Sequence, residues 1–132
     1  VIGLDTNILV RFLTHDDPKQ TPIAIDIITN RVSEDVPGFV SLVTLAETAW
    51  VLDRIYGLDK RKIGEAMRSL AQLPAIRLQS EAEAMGAIVA AQRDGADIPD
   101  VLIATLGLTS GCMTTLTFDR KASRLPGFEL AT

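Results

Sequence analysis

Val1-Ile2-Gly3-Leu4-Asp5-Thr6-Asn7-Ile8-Leu9-Val10 carries one charge, Asp5, inside a run that otherwise reads as a buried strand passing into a helix. Val1 to Leu4 is the strand. Asp5-Thr6-Asn7 is the N-cap chemistry that turns the chain into a short helix over Ile8 to Leu13. A carboxylate in such surroundings needs a partner, because desolvating it unpaired costs several kcal/mol. The stretch holds no Lys or His and no Arg, so the partner comes from elsewhere in the chain, from a helix N-terminus or from a bound cation.

Further along, strands and helices alternate. Asp17-Pro18 opens a helix with Ile23, Ile27 and Ile28 on one face, fading near Arg31. Val36 to Val40 is a second strand and Ser41 to Tyr56 a helix ended by Gly57. Asp59 begins another helix, with Ile63, Met67 and Leu70 on one face, stopped by Pro74. Ala75 to Leu78 is a third strand. Ser80 and Glu83 have capping-box spacing before a helix that Gly95 closes. Ile98 to Leu108 is the last long helix, Cys112 to Phe118 a strand, and Phe128 to Leu130 a short final one. Alternation of this kind predicts an α/β fold, a parallel sheet covered on both faces by helices through right-handed crossovers. In such sheets the site lies at the carboxyl ends of the strands, where Asp5 falls.

With 132 residues, 47% of them apolar and 23% charged, the chain reads as one soluble globular domain. The single cysteine, Cys112, allows no intrachain disulfide and suits a small buried position. No cationic leader precedes an apolar stretch and no uncharged run is long enough to span a bilayer, so a cytoplasmic protein without a membrane segment is expected. The net charge of −4 gives no general footprint for nucleic acid, although acids gathered around a cation would leave the remaining surface closer to neutral.

Three further acids share the setting of Asp5. Glu47 is the only charge in Leu42 to Leu52, a segment apolar almost all round that reads as a buried helix. Asp100 is the lone charge in the first turn of Ile98 to Leu106. Asp119 directly follows the strand ending at Phe118. Each has a local alternative: Asp5 as a cap, Glu47 in a capping box with Thr44, Asp100 held by the helix dipole with Asp97 as cap, and Asp119 as a turn residue. None of these explains why the acids lack basic neighbours in their own segments. Two carboxylates about 4 Å apart repel by roughly 4 kcal/mol at an effective dielectric near 20, so a cluster needs counter-charge. Oxygen ligands without His or Cys select magnesium or manganese, and such ions support phosphodiester hydrolysis. His15, the only histidine, sits in a polar loop, and no glycine-rich or lysine-bearing phosphate loop is present.

Leu4-Asp5-Thr6-Asn7-Ile8-Leu9-Val10, Ala46-Glu47, Asp97-Ile98-Pro99-Asp100-Val101-Leu102-Ile103-Ala104 and Leu116-Thr117-Phe118-Asp119-Arg120, in this order, resemble the signature of PIN-domain ribonucleases, and in particular VapC-type toxins of toxin-antitoxin pairs. The resemblance implies an endoribonuclease with Mg2+ or Mn2+ on Asp5, Glu47, Asp100 and the more variable Asp119. It implies a three-layer α/β sandwich around a central, mostly parallel sheet of about five strands, supporting hydroxyls on Thr6 and Thr117, a homodimer, RNA as substrate and an antitoxin that covers the site. Ile98 stands where the family often has Phe, and Pro99 precedes the acid.

Arg11, Arg54, Arg120, Lys121 and Arg124 are candidates to flank a substrate channel. Trp50 and Tyr56 read as core or, alternatively, as part of an antitoxin groove between the helices Ser41 to Tyr56 and Asp59 to Leu73. Two other functions compete. A phosphoaspartyl hydrolase would use Asp5 as nucleophile but usually wants a second acid at position 7, which is Asn. A non-catalytic acidic-pocket binding module, similar to a receiver domain, would want a strand-end lysine.

Overall fold

A computed structural model describes residues 1–132. In chain order the elements are β1 (Ile2–Gly3), α1 (Thr6–Thr14), α2 (Gln20–Asp26), β2 (Gly38–Val40), α3 (Leu42–Arg54), α4 (Lys60–Ala71), β3 (Ile76–Leu78), α5 (Glu81–Asp94), α6 (Ile98–Thr109), β4 (Thr115–Thr117) and β5 (Phe128–Leu130). A π-helical segment, Ile27–Arg31, extends α2, and a 3-10 turn, Ala122–Arg124, separates β4 from β5. No helix is long and apolar enough to cross a membrane.

The fold is α/β with five parallel strands, but they form two sheets rather than one. The larger has the order β1-β2-β3, with Ile2 opposite Gly38 and Gly38 opposite Ile76. The smaller pairs β4 with β5, Thr115 opposite Phe128. No backbone hydrogen bond joins β1 to β4. Consistent with this, Leu116 and Phe118 are exposed, Phe118 at 88%.

The core collects one face from each main helix: Leu9 of α1, Leu45 and Leu52 of α3, Met67 and Leu70 of α4, Ile88 of α5 and Ile98 of α6. In α4 the buried positions Ile63, Met67 and Leu70 follow the helical period expected for an amphipathic element. Helices α4 and α5 approach closely at Gly64, where an added Cβ would stand 2.4 Å from the Gln92 backbone nitrogen. Gly95 ends α5 with φ 69°, a left-handed conformation that glycine adopts without a Cβ clash, and its N–H returns to the last turn.

Several local expectations are corrected. Ser80 and Glu83 form no capping box: Ser80 itself has a left-handed backbone, φ 47°, and its side chain makes no hydrogen bond to the helix N-terminus. Cys112 is exposed, because the turn through Gly111 at φ 91° places it in a loop and the strand begins only at Thr115. The α3 helix is not buried all round. Val43 is 76% exposed and Trp50 50%, so one face, including Glu47, meets solvent while Leu45, Thr48, Ala49 and Leu52 face inward. Trp50 is therefore not a core residue, whereas Tyr56 is partly buried. Ile103 is likewise exposed on α6.

Candidate metal centre

Asp5 follows β1 and serves as the N-cap of α1. Its Oδ1 accepts the Thr6 N–H at 2.8 Å, and its backbone carbonyl accepts the N–H groups of Ile8 and Leu9. Thr6 is buried beside it. Glu47 projects from the middle of α3 and meets Asp5, Thr6 and Asn7 across a hollow of about 300 Å³, with Arg11 and Tyr56 on its wall. The α3 cap belongs to Ser41, which accepts the Thr44 N–H at 3.1 Å, so Glu47 has no capping duty. Arg11 is the cation of this hollow and is engaged elsewhere. It donates to Asp16 at 3.1 Å, to the Tyr56 hydroxyl at 3.0 Å and to Gln20 at 2.9 Å.

Asp100 and Asp119 meet in a second hollow of about 500 Å³. Asp100 stands in the first turn of α6, whose N-cap is Asp97; the Asp97 Oδ1 accepts the Asp100 N–H at 3.5 Å. Pro99 fits without distortion because the opening residues of a helix need no internal N–H donor. Asp119 follows β4. Its N–H is accepted by the Thr117 hydroxyl at 3.0 Å, while its Oδ1 accepts the N–H groups of Lys121 and Ala122 at 2.8 and 3.1 Å. Thr117 thus shapes the turn that presents Asp119.

Burial pushes the Asp100 carboxyl above its ordinary value, and the charges of Asp97 and Asp119 push it the same way against the opposing pull of Lys60. No ion pair reaches Asp100 itself. The electrostatic signature is that of a carboxylate short of counter-charge.

The four acids singled out from the sequence are therefore brought together as two pairs, Asp5 with Glu47 and Asp100 with Asp119, and not as one cluster. No group of three or more acid, His or Cys side chains lies close enough to hold an ion alone. The division follows the two sheets, since Asp5 ends a strand of one and Asp119 a strand of the other. The residues nevertheless fit a hard divalent cation. The donors are all carboxylate oxygen, Asp100 makes no ion pair, and magnesium is held through one or two carboxylates together with water and substrate phosphate.

Of the basic candidates, Arg54 and Lys121 line the Asp100–Asp119 hollow and Arg11 lines the Asp5–Glu47 hollow. Arg120 and Arg124 line neither. Sequence reasoning missed Lys60 and Arg93, which also line the larger hollow. A signal for Lys60 was present: Lys60-Arg61-Lys62 fills the first turn of α4, where the helix dipole disfavours positive charge.

No curated protein matches the chain. The sequence pattern of the PIN domain matches residues 2–127. Since that match runs through both pairs of carboxylates and four of the five strands, the chain belongs to the PIN domain family.

Proposed function

We propose that the chain is a magnesium- or manganese-dependent endoribonuclease whose divalent ions are held by two carboxylate pairs, Asp5 with Glu47 and Asp100 with Asp119, and that it acts as the toxin of a toxin-antitoxin pair. PIN domains are in general metal-dependent nucleases that bind divalent ions, and the chain belongs to that family. The endoribonuclease reading rests on one observation: Asp100 and Asp119 face a common hollow whose walls also carry Arg54, Arg93 and Lys121. An acid centre bordered by cations suits a polyanion that brings phosphate oxygens to a metal. It also answers the net charge of −4, because the cations need only be concentrated where substrate lies.

A divalent cation, when bound, supplies an activated water and stabilises charge on the phosphate in an in-line displacement. The chain does the rest. Burial and the neighbouring acids raise the Asp100 carboxyl above its ordinary value, and positive charge arriving beside it would favour the ionised form. Asp119 keeps Oδ2 free while Oδ1 is occupied by two backbone N–H groups, so its orientation is set before any ligand binds. Arg54 and Lys121 neutralise substrate phosphates from the wall of the same hollow.

The toxin reading adds an antitoxin that covers the site and a homodimer. It is supported by the exposed apolar face of α3, where Val43, Trp50 and Ile55 stand beside Glu47. A partner burying that face would also close the Asp5–Glu47 hollow, of which Ile55 is a wall. A protein in the cytoplasm is the corresponding location.

The test is cleavage of a mixed RNA pool and a DNA pool of the same sequences, with magnesium and then with EDTA, comparing wild type with Asp5→Asn and Asp100→Asn. The expected result is metal-dependent cleavage of RNA, with losses of about 10²–10³-fold in both variants. Activity that survives EDTA, or full activity in both variants, would overturn the mechanism. Preferential cleavage of DNA would overturn the choice of substrate.

A further inference from the structure

We propose that Lys60 is a positioning residue of the metal centre: its ammonium ties the helix that carries Glu47 to the cap of the helix that carries Asp100. The proposal rests on the reading of these acids as metal ligands. Lys60 Nζ lies 3.0 Å from Asp53 Oδ2 and 3.2 Å from Asp97 Oδ2. Asp53 is in the last turn of α3, the helix of Glu47, and Asp97 is the N-cap of α6. Lys60 is itself the first residue of α4, so a single side chain joins three helices at their ends.

The two oxygens of Asp97 divide the work. Oδ2 takes the Lys60 ammonium and Oδ1 takes the Asp100 N–H. The position of Lys60 is thereby transmitted through one carboxylate to the backbone of the Asp100 turn. An ordinary surface ion pair could not do this, because two exposed long side chains sample many geometries. Here all three side chains are largely covered, Lys60 at 24%, Asp53 at 27% and Asp97 at 28% relative exposure. Burial disfavours the ammonium, but the bonds to Asp53 and Asp97 outweigh it and hold Lys60 above its ordinary value.

The charge pattern points the same way. A lysine at the first position of a helix works against the dipole of that helix, so Lys60 gains nothing from α4 itself. Its two acids gain a great deal: without it, Asp97 would stand near Asp53 and beside Asp100, itself close to Asp119, with no ion-pair partner, and Asp53 would keep only Arg54 at 3.9 Å. Asp97 would then be free to swing off the α6 N-terminus, and the Asp100 turn would lose the anchor that holds it relative to α3.

The experiment measures Mn2+ binding by electron paramagnetic resonance and, separately, kcat and KM for RNA cleavage, in wild type, Lys60→Met and Lys60→Arg, at a temperature where circular dichroism shows each folded. Removing a group that orients a ligand through its neighbour is expected to weaken Mn2+ binding about tenfold and to lower kcat by about 10–100-fold, with KM for RNA nearly unchanged. Lys60→Arg, which can still reach both carboxylates, should restore most of both. Mn2+ affinity and kcat within about twofold of wild type in Lys60→Met, or tighter Mn2+ binding from the loss of a competing charge, would overturn the proposal. Should Lys60→Met not fold, Lys60→Gln, which removes the charge that joins Asp53 and Asp97 and keeps a polar side chain, carries the same test with the same thresholds. Wild-type protein that neither binds Mn2+ nor cleaves RNA would overturn the metal reading itself, an outcome distinct from normal wild-type binding that Lys60→Met leaves unaltered.

Discussion

Asp119 lies close enough to Asp100, across the hollow they share, for its charge to help hold the Asp100 carboxyl above the ordinary carboxylate range. The two come from different ends of the fold, one from the first turn of α6 and the other from the turn after β4. Each therefore reports on how the small sheet sits against α6.

The raised Asp100 carboxyl, caused first by burial and then by Asp97 and Asp119, makes metal-free protein less stable at neutral pH than its packing alone would give. Because the folded chain holds this proton more tightly than the unfolded chain, the penalty is present above the folded pKa. It fades as pH falls and is gone below the unfolded value. Asp100→Asn in EDTA should accordingly melt higher than wild type at pH 7, with the gap closing on acidification. Thermal melts across this range check it; a gap that widens as pH falls would contradict it.

Asp119→Asn and Asp119→Ala separate ligation from turn-making. Asn retains an oxygen for the N–H groups of Lys121 and Ala122, so its Tm should match wild type while cleavage drops at least about tenfold. Ala loses both, and should cost about 1 kcal/mol of stability in addition. Parallel melts and cleavage rates decide the matter.

Asp97→Asn retains the cap of α6 but removes the charge opposite Lys60, whereas Asp97→Ala removes both. A cap is worth about 1 kcal/mol, so the Ala variant should unfold at lower urea than Asn by roughly that free energy. Equal stability of the two would show that the cap contributes nothing.

Gly64→Ala and Gly86→Ala should act in opposite directions. A methyl at Gly64 would stand 2.4 Å from the Gln92 backbone nitrogen, and the strain of forcing α4 from α5, about 1–3 kcal/mol, exceeds the roughly 1 kcal/mol that alanine adds to a helix. At Gly86, on the exposed side of α5, nothing lies within 4 Å, and the same substitution should stabilise by about 0.5–1 kcal/mol. Denaturant midpoints for the pair test this directly.

Much of the fold was legible because its signals are local. Gly57 and Gly95 stop α3 and α5, Asp97 caps α6, and the spacing of Ile63, Met67 and Leu70 marks the inner face of α4. What escaped were relations between distant segments. Apolar residues on α3 read as buried, but burial depends on what packs opposite, and nothing covers Val43 or Trp50. Asp5, Glu47, Asp100 and Asp119 stood out in sequence as lone charges in apolar segments, but only Asp100 is partly buried and the other three meet solvent. Their division into two pairs depends on β1 and β4 not pairing, which no residue pattern records. Lys60 belongs with Asp97 across 37 positions of sequence, and only the unfavourable dipole of its helix hinted at a tertiary partner.

The absence of backbone hydrogen bonds between the two sheets has a further consequence, for motion rather than for chemistry. The β4–β5 unit rests on α6, where Gly127 comes close to Ala104 and Leu108. Its amides should exchange with solvent through a sub-global opening cheaper than unfolding the helical core, so deuterium should enter Thr115–Thr117 before Gly38–Val40. Of the four carboxylates, Asp119 would then be the one displaced at least free-energy cost, the others being anchored to α1, α3 and α6.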